Sequence, residues 1–206
     1  MNKNIDYLKE RFKDCFDVKF RELSTILGNG TVVFIDDLCN SQWMMEYMIL
    51  PLRGFGELKG EEGISTPKDL IDKVLDMNMT GIAKDVDDAI FHVLSGDVIL
   101  VLNDYEEIIY SEVKNMVRRG IGIPDTESVL KGPREGFNEL IVDNVALIRR
   151  RLKNPDLKFE AVYVGEKSQT AVAITYIKGI VDENVLEDIR KKVKSLDLRF
   201  VLDSNY

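Results

Sequence analysis

Histidine occurs once in this 206-residue sequence, at position 92. A Ser-His-Asp or Cys-His centre would have to be built on that residue. It sits in the apolar helical run AIFHVL, the setting of a packed or half-exposed histidine. Cysteine occurs twice, as Cys15 and Cys39, without CxxC spacing. A zinc site from one histidine and two distant cysteines has no support, and the pair reads as reduced cytosolic thiols. No Walker A motif is present, and GFGELKG (54–60) neither follows a strand nor opens a helix in the dinucleotide-binding pattern. Long apolar runs are missing too. VILVL at 98–102 is far short of the roughly 20 residues a membrane-spanning helix needs. The N-terminus, MNKNIDYLKERFKD, has no apolar core of the signal-peptide kind. Basic residues are in deficit: the formal net charge is −8 and the pI is near 4.9. That excludes a general nucleic-acid binder, which needs basic surface to displace phosphate counterions. The expectation is a protein with no catalytic residue, no metal site and no cofactor.

What is present suits a folded α/β protein. Apolar residues make up 45% and charged residues 31%. Residues 1–123 carry 14 Lys and Arg against 22 Asp and Glu, whereas 124–206 carry 14 of each, so the charge balance changes along the chain. Helical spacing of Ile5, Leu8, Phe12 and Phe16 predicts a helix over 5–16. Phe20–Leu27 is ambiguous. TVVFID (31–36) reads as a buried strand, followed by a helix at 41–50 capped by Ser41 and stopped by Pro51. Thr66, Pro67 and Asp69 form a strong helix start, running to about Met77. A further helix starts near Asp85 and stops before Gly96. DVILVLND (97–104) is a strand, with Tyr105–Val113 as its hairpin partner. After a segment rich in Gly and Pro come a helix over 134–152, strands at 157–165 and 169–177, a helix at 182–196 capped by Asp182, and a last strand at 198–203. The predicted fold class is α/β (α+β-like): two small helix-on-sheet lobes with mixed sheets, joined by a Gly/Pro-rich linker. The lobes are 1–117 and 134–206, the second incomplete at its C-terminus, and the linker is 118–133.

Two clusters stand out. In GPREGF, Gly132, Pro133, Arg134, Glu135 and Gly136 fall at the predicted helix start, where free amides and Arg134 suit an anion; alternatively, Arg134 and Glu135 pin the linker. In IRRR, Arg149, Arg150 and Arg151 gather at the negative end of the helix dipole. They read either as a solvated helix end or as a contact for anionic headgroups or an acidic partner. The acidic pairs Asp36–Asp37, Glu61–Glu62 and Asp87–Asp88 could bind a metal, but each also fits a strand end, a loop or a helix start.

The stretch 124–160, PDTESVLKGPREGFNELIVDNVALIRRRLKNPDLKFE, resembles the signature of the spore germinant receptor A subunits, the GerA family. Glu127, Gly132, Pro133, Arg134, Glu135, Gly136, Phe137, Glu139, Asn144, Leu147, Ile148, Arg149, Arg150 and Arg151 fit its pattern. FIDDLCNSQWMMEYMILPL, GDVILVLND and VAITYIKGIVDENVLEDI extend the likeness over most of the chain. Family members continue into several membrane spans, so the sequence ending at Tyr206 reads as a fragment or a truncated form. The resemblance implies a subunit of the inner spore membrane, with this domain on the cytoplasmic, spore-core side. It implies B and C subunits and other A subunits as partners, the membrane through the missing C-terminal part, and nutrients as signals. Two functions fit: a module for receptor assembly and signal coupling, or a module binding a small-molecule germinant in the cleft between the lobes. In the first, GPREGF contacts the first lobe, and IRRR contacts a neighbouring subunit or the membrane face.

Overall fold

A computed structural model describes residues 2–54, 63–75, 77, 79–114 and 136–201. Helix α1 (Lys3–Arg11) starts where the Asn2 side chain accepts from the Asn4 amide at 2.9 Å. The Asn2 amide also donates to the carbonyls of Leu102 and Tyr105, at 2.7 and 2.8 Å, so one residue caps the helix and fastens it to the sheet. Strands β1 (Val18–Thr25) and β2 (Gly28–Ile35) form a hairpin in register from Val18↔Ile35 to Thr25↔Gly28. The ambiguous segment 20–27 is therefore a strand and its turn.

The helix predicted over 41–50 begins as α2 (Ser41–Met44), widens into a π turn (Met45–Ile49) and closes as α3 (Leu50–Leu52). Its cap is Asn40, whose side chain accepts from Gln42 and Trp43, and not Ser41. Pro51 does not stop it. The wider π turn makes room where a proline ring would collide with the preceding turn, and Pro51 sits in the last turn. Helix α4 (Pro67–Lys73) has the predicted start: Thr66 and Asp69 cap each other's backbone amides. Strand β3 (Thr80–Ile82) was not predicted; three residues around a glycine carry no readable alternation. Helix α5 (Val86–Leu94) is capped by Asp85, and β4 (Val98–Leu102) pairs with β5 (Ile108–Ser111) as the expected hairpin.

These strands form one sheet in the order β1-β2-β4-β5-β3. Every residue of β4 is buried because both faces are covered. On one side Leu8, Ile90 and Val93 meet Val33, Ile99 and Val101; on the other Met44, Met48, Leu52 and Leu70 meet Val32, Leu100 and Leu102.

Helix α6 (Ile141–Arg151), the hairpin β6 (Leu157–Val164) and β7 (Thr170–Ile177), and helix α7 (Glu183–Lys194) form the rest. Asp182 caps α7 as predicted. Residues 198–201 are not a strand. They run beside the β6–β7 turn, where Glu166 and Lys167 amides donate to the carbonyls of Leu198 and Arg199. Both sheets are antiparallel in every pairing, where mixed sheets were expected; hairpins join β1 to β2, β4 to β5 and β6 to β7. Leu186 of α7 is buried, but Val185, Ile189 and Leu196 are exposed, because a two-stranded sheet is narrower than the apolar face of that helix.

Gly96 ends α5 at φ +89°, and a Cβ there would lie 3.0 Å from the Leu38 carbonyl. Gly96→Ala should therefore lower stability by about 1–3 kcal/mol, through both left-handed backbone and crowding. Urea denaturation would measure it; a change below about 0.5 kcal/mol, the range of neutral surface substitutions, would refute the account.

Candidate functional site: the junction between the two sheets

Of the GPREGF cluster, Gly132, Pro133, Arg134 and Glu135 lie outside the described residues. Gly136 is described and is not at a helix start. Residues 136–140 are non-helical, and α6 begins five residues later, at Ile141. The predicted anion site at a helix start over this motif is thus not formed at Gly136. The reason is a set of asparagine bonds. Asn138 accepts from the Leu140 amide at 2.8 Å and donates to Asp143 at 2.7 Å. Asn144 accepts from the Asn138 amide and donates to its carbonyl, at 2.8 and 2.7 Å. Such side-chain bonds compete with helical ones and hold the preceding chain in a turn. Phe137 and Leu140 are exposed as a result.

The three arginines of IRRR separate. Arg150 and Arg151 are exposed, but Arg149 is completely buried, against the expectation of a solvated or outward-facing cluster. Its Nε and Nη2 donate to the two oxygens of Asp17, at 3.0 and 3.1 Å, and Asp17 is itself buried. Its Nη1 donates to the carbonyls of Leu157 and Asn154, at 3.0 and 3.2 Å. The guanidinium also lies 4.6 Å from the centre of the Phe159 ring. Asp17 stands just before β1, and its carbonyl accepts from the Asp36 amide at the end of β2. One side chain from α6 is thereby tied to the first sheet.

The contacts around this pair run along residues 11–17. Phe16 donates to the Phe159 carbonyl at 3.1 Å, and Phe159 donates to the Asp14 carbonyl at 3.0 Å, so this segment lies along the outer edge of β6. Arg11 is ion-paired with Asp156. Lys158, 2% exposed, donates to the carbonyls of Arg11 and Pro155, at 2.7 and 3.0 Å, and its burial lowers its pKa. Ala146 packs into the core that α1 shares with the first sheet, while Val145 packs on Leu157 and Phe159. Helix α6 is thus a wedge between two cores. An open depression of about 610 Å³ lies beside it, lined by Lys9, Phe12, Phe16, Phe20, Phe159 and Glu160.

The remaining sequence candidates have plainer roles. His92 is packed: its Nδ1 is 2.7 Å from Asp97, and its ring stacks on Tyr110 at 3.6 Å. Asp97 also meets Lys114 at 3.3 Å. Both cysteines are buried; burial pushes the Cys15 thiol up and the Cys39 thiol up to about 12, which leaves neither poised as a nucleophile. Among the described residues no group of three or more His, Cys, Asp and Glu is placed to hold a metal ion. No helix among them is long and apolar enough to cross a membrane.

Residues 6–206 match the model of the Bacillus/Clostridium GerA spore germination protein family. The chain belongs to that family. It is 27% identical to spore germination protein KA of Bacillus subtilis (strain 168) over 209 residues, covering 99% of this chain and 38% of that protein. It is 29% identical to stage V sporulation protein AF of the same organism, over 95% of this chain and 40% of that one. With GerLA of Bacillus cereus the identity is 27%, over 91% of this chain and 38% of the relative. The chain thus spans about two fifths of the curated GerA relatives. The crystal structure of the N-terminal domain of the A subunit of the Bacillus megaterium germinant receptor GerK3 superposes with a TM-score of 0.73, at 21% identity, covering 96% of this chain and 72% of that one. The fold is that of a GerA-family N-terminal domain.

Removing either partner of the Asp17–Arg149 pair would strand a buried charge. Arg149→Met and Asp17→Asn should each cost about 3–5 kcal/mol, and the double variant should cost less than their sum. A denaturant double-mutant cycle gives the coupling; additive losses would mean that the pair is not a unit.

The carboxylates here titrate in opposite senses. A hydrogen bond from Arg11 holds Asp156 below the usual carboxylate range, and one from Arg190 does so for Glu160. Their contribution is complete above their ordinary pKa of about 4 and is lost as the pH falls. Burial instead pushes Asp17 up, with the charge and hydrogen bonds of Arg149 pulling it back. Asp156→Asn should accordingly flatten the loss of stability between about pH 5 and pH 2. An unchanged acid limb in denaturation curves would show that Asp156 does not fasten the junction.

Proposed function

We propose that this chain is a non-enzymatic domain of a germinant receptor A subunit that acts in receptor assembly and signal coupling during spore germination. The observation that carries this reading is the buried Asp17–Arg149 pair. A helix whose one face is locked to both sheets can transmit a push on its other face to the whole domain, because packed cores do not deform continuously. That other face carries Arg150 and Arg151, exposed at the negative end of α6 and suited to an acidic surface. Its partners in this reading are the B and C subunits and other A subunits, in the inner spore membrane, with the domain on the spore-core side and the membrane held by the rest of the protein. Relatives such as spore germination protein KA and GerLA support the setting.

A second reading draws on the depression beside Phe16 and Phe159, where a small-molecule germinant would rest between the two sheets. Amino acids, sugars or nucleosides that raise the melting temperature of the isolated chain would favour it, since a ligand bound only to the folded state stabilises that state.

The coupling reading is tested on the exposed arginine. Arg150→Ala should leave the melting temperature of the domain within about 2 °C, as a surface substitution does, and should reduce nutrient-triggered germination at normal receptor levels. Normal germination by that variant would reduce Arg150 to surface charge and end the assignment.

A further inference from the structure

We propose that a second cavity, on the first sheet and away from the junction, binds a small organic anion through Lys9 and Arg53. This cavity has a volume of about 490 Å³, within the range of small-molecule sites. Lys9 reaches it from α1, Glu22 from β1, Thr31 from β2, Arg53 from the residue after α3 and Asn103 from the residue after β4.

Three observations carry the inference. First, the side chains of Lys9, Glu22, Arg53 and Asn103 take part in none of the hydrogen bonds or ion pairs among the described residues. Two cations and one carboxylate therefore converge on an empty space, a net positive site on a chain of net charge −8. Second, Thr31 is only 5% exposed and lines the cavity, so a polar hydroxyl-bearing residue forms part of its floor. Third, the groups stand on fixed supports. Asn2 pins α1 to the Leu102 carbonyl. The Ile26 amide donates to the Leu52 carbonyl at 3.1 Å, which holds Arg53 against the β1–β2 turn, and the Asn103 amide donates to the Asn29 carbonyl at 2.9 Å. Pre-placed donors lower the entropic cost of binding.

The chemistry of the lining defines the ligand. Lys9 and Arg53 take a carboxylate or phosphate, Arg53 in bidentate fashion. Glu22 accepts from a hydroxyl or ammonium elsewhere on the same molecule, and Thr31 and Asn103 complete a polar floor. The inference is independent of the coupling role: it does not involve α6, and of its two cations only Lys9 also borders the depression at the junction, whereas Arg53 does not.

The test is a titration of the purified chain with malonate and, separately, with inorganic phosphate, at constant ionic strength, followed by amide chemical shifts. Saturable shifts at Glu22, Gly30, Thr31 and Asn103 are expected, with Kd in about the millimolar range that a few solvent-open charged contacts supply. Arg53→Ala and Lys9→Ala should each weaken binding about tenfold, the loss of one charge-assisted contact, while Arg150→Ala should bind as the parent does. Saturation by malonate alone assigns a carboxylate ligand, by phosphate alone a phosphorylated one, and by both the shared anion site. Shifts that stay linear in concentration, or that survive in Arg53→Ala and Lys9→Ala, overturn the proposal. Loss of binding in Arg150→Ala would trace the effect to overall charge and overturn it too.

Discussion

A guanidinium with no solvent exposure constrains everything around it. Moving an ion of that kind out of water costs several kcal/mol even after the protein relaxes, and the cost is offset only where geometry and hydrogen bonding are complete. Arg149 meets that condition through two oxygens of Asp17, two backbone carbonyls and the face of Phe159. Those partners come from three places in the sequence: the approach to β1, the stretch between α6 and β6, and β6 itself. They can surround the charge only if residues 11–17 lie along β6 and α6 is wedged between the cores. A small rotation of α6 would break several of these bonds at once, so the junction has one arrangement and a steep penalty for leaving it.

The two halves do not depend on that arrangement equally. The first sheet is covered on both faces, with a separate apolar cluster on each. The second has a thinner core: the cluster under α6 has Val145, Leu157 and Phe159 as its buried members, with Phe16 from the first half packed against them, and Val164, Ile174 and Leu186 are buried outside that cluster. Two strands alone are marginal in water and need packing on a helix or a third strand. Here the missing edge is supplied partly by residues 14–16, which bond to β6 at Phe159. What holds the second sheet is therefore as much the junction as its own hairpin. This explains why Lys158, a residue normally at the surface, is buried at the same place and satisfied by carbonyls from both halves.

Local signals were legible and long-range ones were not. The capping box of Thr66 and Asp69, the caps Asp85 and Asp182, and the apolar runs of β2, β4, β6 and β7 are all written in neighbouring residues, so sequence reading places them. The helix predicted over 134–152 begins only at Ile141 because Asn138 and Asn144 divert the backbone, and asparagine pairs leave no trace in an apolar periodicity. Pro51 reads as a stop in the sequence because the π turn that accommodates it depends on the core beneath Met48 and Leu52. Strand β3 is too short to show a period. At the junction, the family motif includes Arg149, whereas Asp17 lies outside it. A signal did exist: Asp17 sits in CFDVKF among residues that alternate into the core, and an acid there needs a partner.

The three adjacent arginines show why a motif has to be read through the geometry of its helix. Successive residues on an α-helix are turned by about 100°, so side chains at 149, 150 and 151 cannot share a face. Residue 149 is three and four positions past Ala146 and Val145, the two residues that pack into the neighbouring cores, and so it follows them inward. Residues 150 and 151 are carried outward by the same rotation. A run that looks like one cationic patch is in fact a division of labour: one charge is spent on fixing the helix between the sheets, and the others stand on its outer side. A lysine at 149 would keep the charge but lose the planar fork that reaches both oxygens of Asp17 and two carbonyls together, whereas an exposed position places no such demand.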